Sequence, residues 1–102
     1  MATLQDITER IRSGIASGTG LDQRLKFDLK GEGFIHIDGQ AVANADLPAD
    51  LVITISCKDL EALGRRELDP MRAIMTGRMK LSDMGLAMKL QPAIQTLFAK
   101  TV

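Results

Sequence analysis

Three short runs in which bulky apolar residues take every second position limit what this chain can fold into more than any other feature. Leu25, Phe27 and Leu29 form the first run, Ile35 and Ile37 the second, and Leu51, Ile53 and Ile55 the third. Successive side chains of a strand point to opposite faces, so each run predicts a strand with one apolar row. Gly31-Glu32-Gly33 separates the first two runs and makes them a hairpin, and Ala41-Val42-Ala43-Asn44 extends the sheet weakly. A sheet with one apolar row needs a cover on that face and leaves the other face wet.

The cover is written in helical period. Thr3 and Asp6 have capping-box spacing, and Leu4, Ile7, Ile11 and Ile15 recur at helical intervals until Gly18-Thr19-Gly20 breaks the pattern. Ser56 and Asp59 repeat the capping pattern ahead of Leu60 and Leu63. Asp69-Pro70 opens a further helix, with aspartate at the N-cap and proline at the first helical position. That helix is expected to bury Met71, Ile74 and Met75 and to end at Gly77. Arg78 to Leu81 predicts a late strand with Met79 and Leu81 inward, and Met84 to Leu90 another helix. Pro92 has no N–H to donate, so a break falls there, and Ile94, Leu97 and Phe98 form a last short amphipathic helix. The order predicts one α+β domain over residues 1–102, with helices gathered on one face of the sheet.

Composition excludes several functions. The chain has three Phe, no Trp, no Tyr and a formal net charge of zero, so it lacks both the stacking rings and the basic field of a nucleic-acid binder. Residues 1–57 carry five basic and eight acidic groups, and residues 58–102 carry eight and five. A solvated helical surface accounts for the basic C-terminal half; the lesser reading is transient attraction to an anionic membrane surface. Cys57 is the only cysteine, so no intramolecular disulfide forms and a cytoplasmic location is expected. The N-terminal residues do not have the pattern of a signal peptide, and no apolar run reaches the length of a membrane span.

No catalytic constellation emerges. His36, the only histidine, lies opposite in phase to Ile35 and Ile37 and is expected to face solvent, with no second histidine or nearby cysteine to complete a metal site. Cys57 reads as a quiet, half-buried thiol, and no serine sits in a Gly-x-Ser-x-Gly turn. Neither glycine pair continues into a phosphate-binding loop, and Asp38, Asp46 and Asp50 lack calcium-loop spacing. The chain is therefore expected to be no enzyme and to need no cofactor.

What stands out instead is methionine. Five of the six lie between Met71 and Met88. A cluster of these flexible thioethers makes an apolar surface that repacks around partners of differing shape. Period alone reads Met71/Met75 and Met84/Met88 as i,i+4 pairs on the buried faces of two short helices.

A longer match favours the pocket. Ala49 to Ser56, Asp59 to Leu63, Leu68-Asp69-Pro70, Met75 to Leu81 and the run Asp83 to Gln91 together resemble, in order and spacing, the sterol carrier protein type-two domain, or non-specific lipid-transfer domain. Leu25 to Asp28 and Phe34 to Gly39 fit the opening strands of its short microbial members. The resemblance implies a five-stranded, mainly antiparallel sheet, helices covering one face, and an apolar tunnel that carries fatty acid, fatty acyl-CoA or a sterol-like ligand without catalysis. Under it, the residues expected against a lipid tail are Phe27, Ile35, Ile37, Ile53 and Ile55 from the sheet, Met71, Ile74, Met75, Met79, Met84 and Met88 from the methionine stretch, and Leu97 and Phe98 from the last helix. That helix is then expected to be a lid. The alternative reading is an accessory protein that presents a lipid or quinone-type intermediate to a partner enzyme.

Overall fold

Residues 3–16 and 22–101 are described by a computed structural model; the break expected at Gly18-Thr19-Gly20 lies outside them. The first helix, α1 (Leu4–Gly14), begins with the expected capping box: Asp6 N–H donates to the Thr3 hydroxyl, and Asp6 accepts from Thr3 N–H. These bonds also hold the Asp6 carboxyl below its usual range, the Thr3 backbone N–H being the larger cause.

Strands β1 (Leu25–Asp28) and β2 (Phe34–Asp38) form the hairpin, Phe27 opposite Ile35 and Leu25 opposite Ile37. Gly33 lies at φ 135°, and a Cβ there would come within 2.6 Å of the Leu4 side chain. Glycine is therefore required where α1 lies against the turn. Strand β3 (Ala41–Ala43) pairs antiparallel with β2 at the sheet edge. The chain then crosses to the far side of β1, where β4 (Leu51–Ile55) runs parallel to it. Helices α2 (Cys57–Gly64) and α3 (Pro70–Met75) precede β5 (Met79–Leu81), which is antiparallel to β4, and α4 (Met84–Lys89) and α5 (Gln91–Ala99) follow. The order β3-β2-β1-β4-β5 contains one parallel pair and three antiparallel ones. The α+β, mainly antiparallel architecture is as expected.

One buried cluster joins Leu25, Phe27, Ile35, Ile37, Ile53 and Ile55 of the sheet to Ile7 and Ile11 of α1, Leu60 of α2 and Ile94, Leu97 and Phe98 of α5. The opposite face is not simply wet, because the crossover after β3 lies on it. Asp46 meets the ammonium of Lys26, and the carbonyl of Pro48 is 2.9 Å from His36 Nε2. A carbonyl only accepts, so Nε2 carries the proton. His36 is only 6% exposed, which corrects the solvent-facing position expected from its phase. Alternation tells which face a residue points to, and a distant loop covers that face.

The last helix is also different from expectation. Phe98 packs on Phe27 with ring centroids 6.5 Å apart, the Thr101 hydroxyl lies 3.3 Å from the Leu60 carbonyl, and Arg10 donates to the Thr101 carbonyl. Residues of α5 thus complete the core, and the segment after Pro92 is no detachable lid.

Candidate functional site

An apolar cleft opens where α3, β5, α4 and α5 meet, and local signals build each wall. Asp69 caps α3 by accepting from Arg72 N–H, and Pro70 takes a position whose N–H has no helical partner. Gly77, at φ 77°, then turns the chain from α3 toward β5. Pairing of Ile55 with Met79 and of Ile53 with Leu81 fixes β5 to the sheet. Asp83 caps α4 by accepting from Leu86 N–H at 3.0 Å. Helix α4 stops at Leu90, and Pro92 sits in the first turn of α5, where it breaks no hydrogen bond.

The cleft has a volume of about 250 Å³ and is lined by thirteen residues, ten of them apolar. Six that the sequence singled out are brought together there: Met71, Ile74, Met79, Met84, Met88 and Phe98. The other seven do not line it. Phe27, Ile35, Ile37, Ile53, Ile55 and Leu97 lie in the core behind it, and Met75 stands outside on α3.

The expectation that α3 buries Met71 and Met75 is overturned. Met71 is 62% exposed, Met75 81%, Met84 46% and Met88 71%, whereas Met79 is buried. Each short helix instead turns an alanine inward, Ala73 in α3 and Ala87 in α4. With only a methyl group between helix and core, the methionines are left at the mouth.

Gln91 and Gln95 also line the cleft and were missed. The signal was present: 91, 94, 95 and 98 stand at i, i+3, i+4, i+7 on one face of α5, and 84, 87 and 88 hold i, i+3, i+4 on α4. Two glutamines in that series hide it from a reading that follows apolar residues alone. With Asp69 they give the cleft its polar groups.

Neither reactive side chain belongs to the site. Cys57 starts α2, where Glu32 accepts from its backbone N–H, and it is buried rather than half-buried. Burial, then the hydrogen bond and charge of Glu32, then the charge of Glu61, push its thiol up to about 12. It is therefore protonated and a poor nucleophile near neutrality.

Residues 4–95 match the model of the SCP-2 sterol transfer family. The chain belongs to that family. A 54-residue segment, 52% of the chain, is 44% identical to sterol carrier protein 2 of Oryctolagus cuniculus, of whose length it spans 10%. The same fold occurs in sterol carrier protein 2 like 2 of Aedes aegypti, with TM-score 0.70 and 22% identity over 85% of this chain and 92% of that one. It occurs again in sterol carrier protein domain 2 of Helicoverpa armigera, with TM-score 0.62 and 25% identity over 90% and 76%. Among the described residues no helix is long and apolar enough to cross a membrane.

Proposed function

We propose that this SCP-2 family chain, acting as a single domain in a reducing cytoplasm, carries a long-chain fatty acid or fatty acyl-CoA with the tail in the methionine cleft. The observation that carries this reading is a cleft walled by Met71, Met79, Met84 and Met88, side chains able to repack around a flexible tail. Its volume of about 250 Å³ lies just below the usual range for ligand pockets, roughly 300–1,000 Å³. A flexible acyl chain adapts to so small a space more readily than a rigid sterol does. Phe27, Ile35, Ile37, Ile53, Ile55 and Leu97 form the packed core behind the cleft, so the tail is held by the methionine walls. Carriage needs no bond to be made or broken, in keeping with a protonated Cys57 remote from the tail.

Lipid-stripped protein titrated with fatty acids and acyl-CoA of increasing chain length tests the reading. Each methylene that enters the cleft adds about 0.8 kcal/mol. Ligand at a hundredfold excess over Kd adds about 2.7 kcal/mol to stability. Affinity and Tm should rise with chain length and level off where the cleft is full. A response that is flat across chain lengths rejects the proposal.

A further inference from the structure

A second chamber adjoins the methionine cleft, between the turn from α2 to α3 and the C-terminal half of α5. Its volume is about 590 Å³, against about 250 Å³ for the cleft. Asp69, Pro70, Gln95 and Phe98 line both spaces, so the two share this wall. The chemistry changes across it. No methionine lines the chamber, where Arg66, Thr96 and Lys100 join Leu63, Leu68 and Ala99.

Charge is ordered from one space to the other. At the shared wall stand the amide of Gln95 and the carboxylate of Asp69, which accepts from Arg72 N–H. Beyond it, lining the chamber and not the cleft, stand Arg66 and Lys100. None of the ion pairs among the described residues includes either cation. Of the acids nearby, Glu61 is paired with Arg10 and Arg65, Glu9 with Arg12, and Glu67 does not line the chamber.

Arg66 is held there against its backbone preference. Its φ is 62° where α2 ends, and Glu67 N–H donates to the Ala62 carbonyl at 2.9 Å. Glycine takes that left-handed conformation freely, whereas a residue with a side chain is strained in it. A cation that only met the end of the helix would not need this position, which Arg65 at the C-cap already serves. Lys100 is half-buried, and its stem lies across α1 so closely that a Cβ at Gly14 would come within 2.5 Å of it.

We propose that the chamber is a headgroup subsite for the amphiphile whose tail lies in the cleft. It takes a phosphate-bearing head joined to the acyl chain by an uncharged ester or thioester. A free carboxylate would end at the shared wall beside Asp69, where like charges repel. An ester carbonyl is neutral there and accepts from the Gln95 amide, while phosphate beyond it meets Arg66 and Lys100. The chamber is also far larger than a carboxylate fills. This subsite rests on the carrier reading and narrows it.

Isothermal titration of lipid-stripped protein with palmitate, palmitoyl-CoA and palmitoyl lysophosphatidic acid, each below its micellar concentration, tests the subsite. Both phosphate-bearing ligands should bind about tenfold more tightly than palmitate, or better, because hydrogen bonds between charged groups are worth roughly that factor each. The tighter of the two tells whether a nucleotide or a glycerol carries the phosphate. Arg66→Gly with Lys100→Gln should remove the advantage and leave palmitate affinity unchanged. Arg66→Gly alone should weaken both phosphate-bearing ligands by about fivefold without lowering Tm, since glycine suits this backbone. Asp69→Asn keeps a capping side chain and should strengthen palmitate binding by about threefold. Free coenzyme A and inorganic phosphate, lacking the tail, should bind at least about a hundredfold more weakly than palmitoyl-CoA.

An advantage that survives the double substitution overturns the subsite, as does a fall in Tm with Arg66→Gly that accounts for the lost affinity. Tight binding of free coenzyme A or phosphate overturns the joint tail-and-head arrangement. Equal affinity for all three lipids refutes the subsite and leaves the carrier reading intact; failure of all three to bind refutes the carrier reading and the subsite with it.

Discussion

The sheet with α1 and α2 on it is sealed, and the region from α3 to α4 is open, although both are apolar in sequence. Ile35, Ile53 and Ile55 are fully buried, while Met71, Met75 and Met88 expose most of their surface. The stiff β-branched side chains sit on strands held by ladder bonds, β1 being paired on both sides. The flexible methionines sit on two helices of six residues each, too short to persist unaided and fastened by Asp69, Asp83 and one inward alanine apiece. Equal hydrophobicity thus makes rigid core in one place and an adaptable mouth in the other.

The sharpest way to break this contrast is at Phe98, which belongs to the sealed region and also lines the cleft. Phe98→Ala should cost about 3–5 kcal/mol and lower Tm by roughly 15 °C or more. An unchanged Tm with faster lipid release would return α5 to the role of a lid. A smaller effect separates two methionines of the same stretch: Met79→Ala should cost about 2–4 kcal/mol, and Met75→Ala no more than about 0.5. Comparable losses in denaturant titrations would mean that the two share one environment.

Next in size is Asp83→Ala, which removes the cap of α4 and should cost about 1 kcal/mol. Faster amide exchange is expected in α4, and exchange in β1 and β4 should not change. The effect that is smallest at neutral pH belongs to the sealed side. Folding raises the Cys57 thiol from 9.0 to about 12, so the folded state holds this proton more tightly. Its contribution is whole below about pH 9 and is lost as pH rises through about 12. Cys57→Ala should flatten that alkaline decline, and iodoacetamide should label the native thiol slowly at neutral pH.

Much of this architecture is legible in residues a few places apart. Thr3, Ser56 and Asp69 mark the starts of α1, α2 and α3, and the alternation through Leu25, Ile35 and Ile53 marks the three principal strands. The methionine stretch likewise shows where the cleft lies. Its detailed lining was harder to read: Met71 and Met75 share one period, yet Met71 lines the cleft and Met75 does not. His36 escaped for a related reason, since Pro48 reaches it by a crossover that its own strand does not encode.

Sequence alone therefore determined the elements, the caps of α1, α2 and α3 and the apolar row of each principal strand, because neighbouring residues set backbone hydrogen bonding and side-chain direction. Only the tertiary structure decided which apolar side chains are core and which stay at an open mouth. Burial depends on what arrives from elsewhere in the chain: Phe98 seals Phe27 across seventy-one positions, and nothing comes to cover Met75 among the described residues.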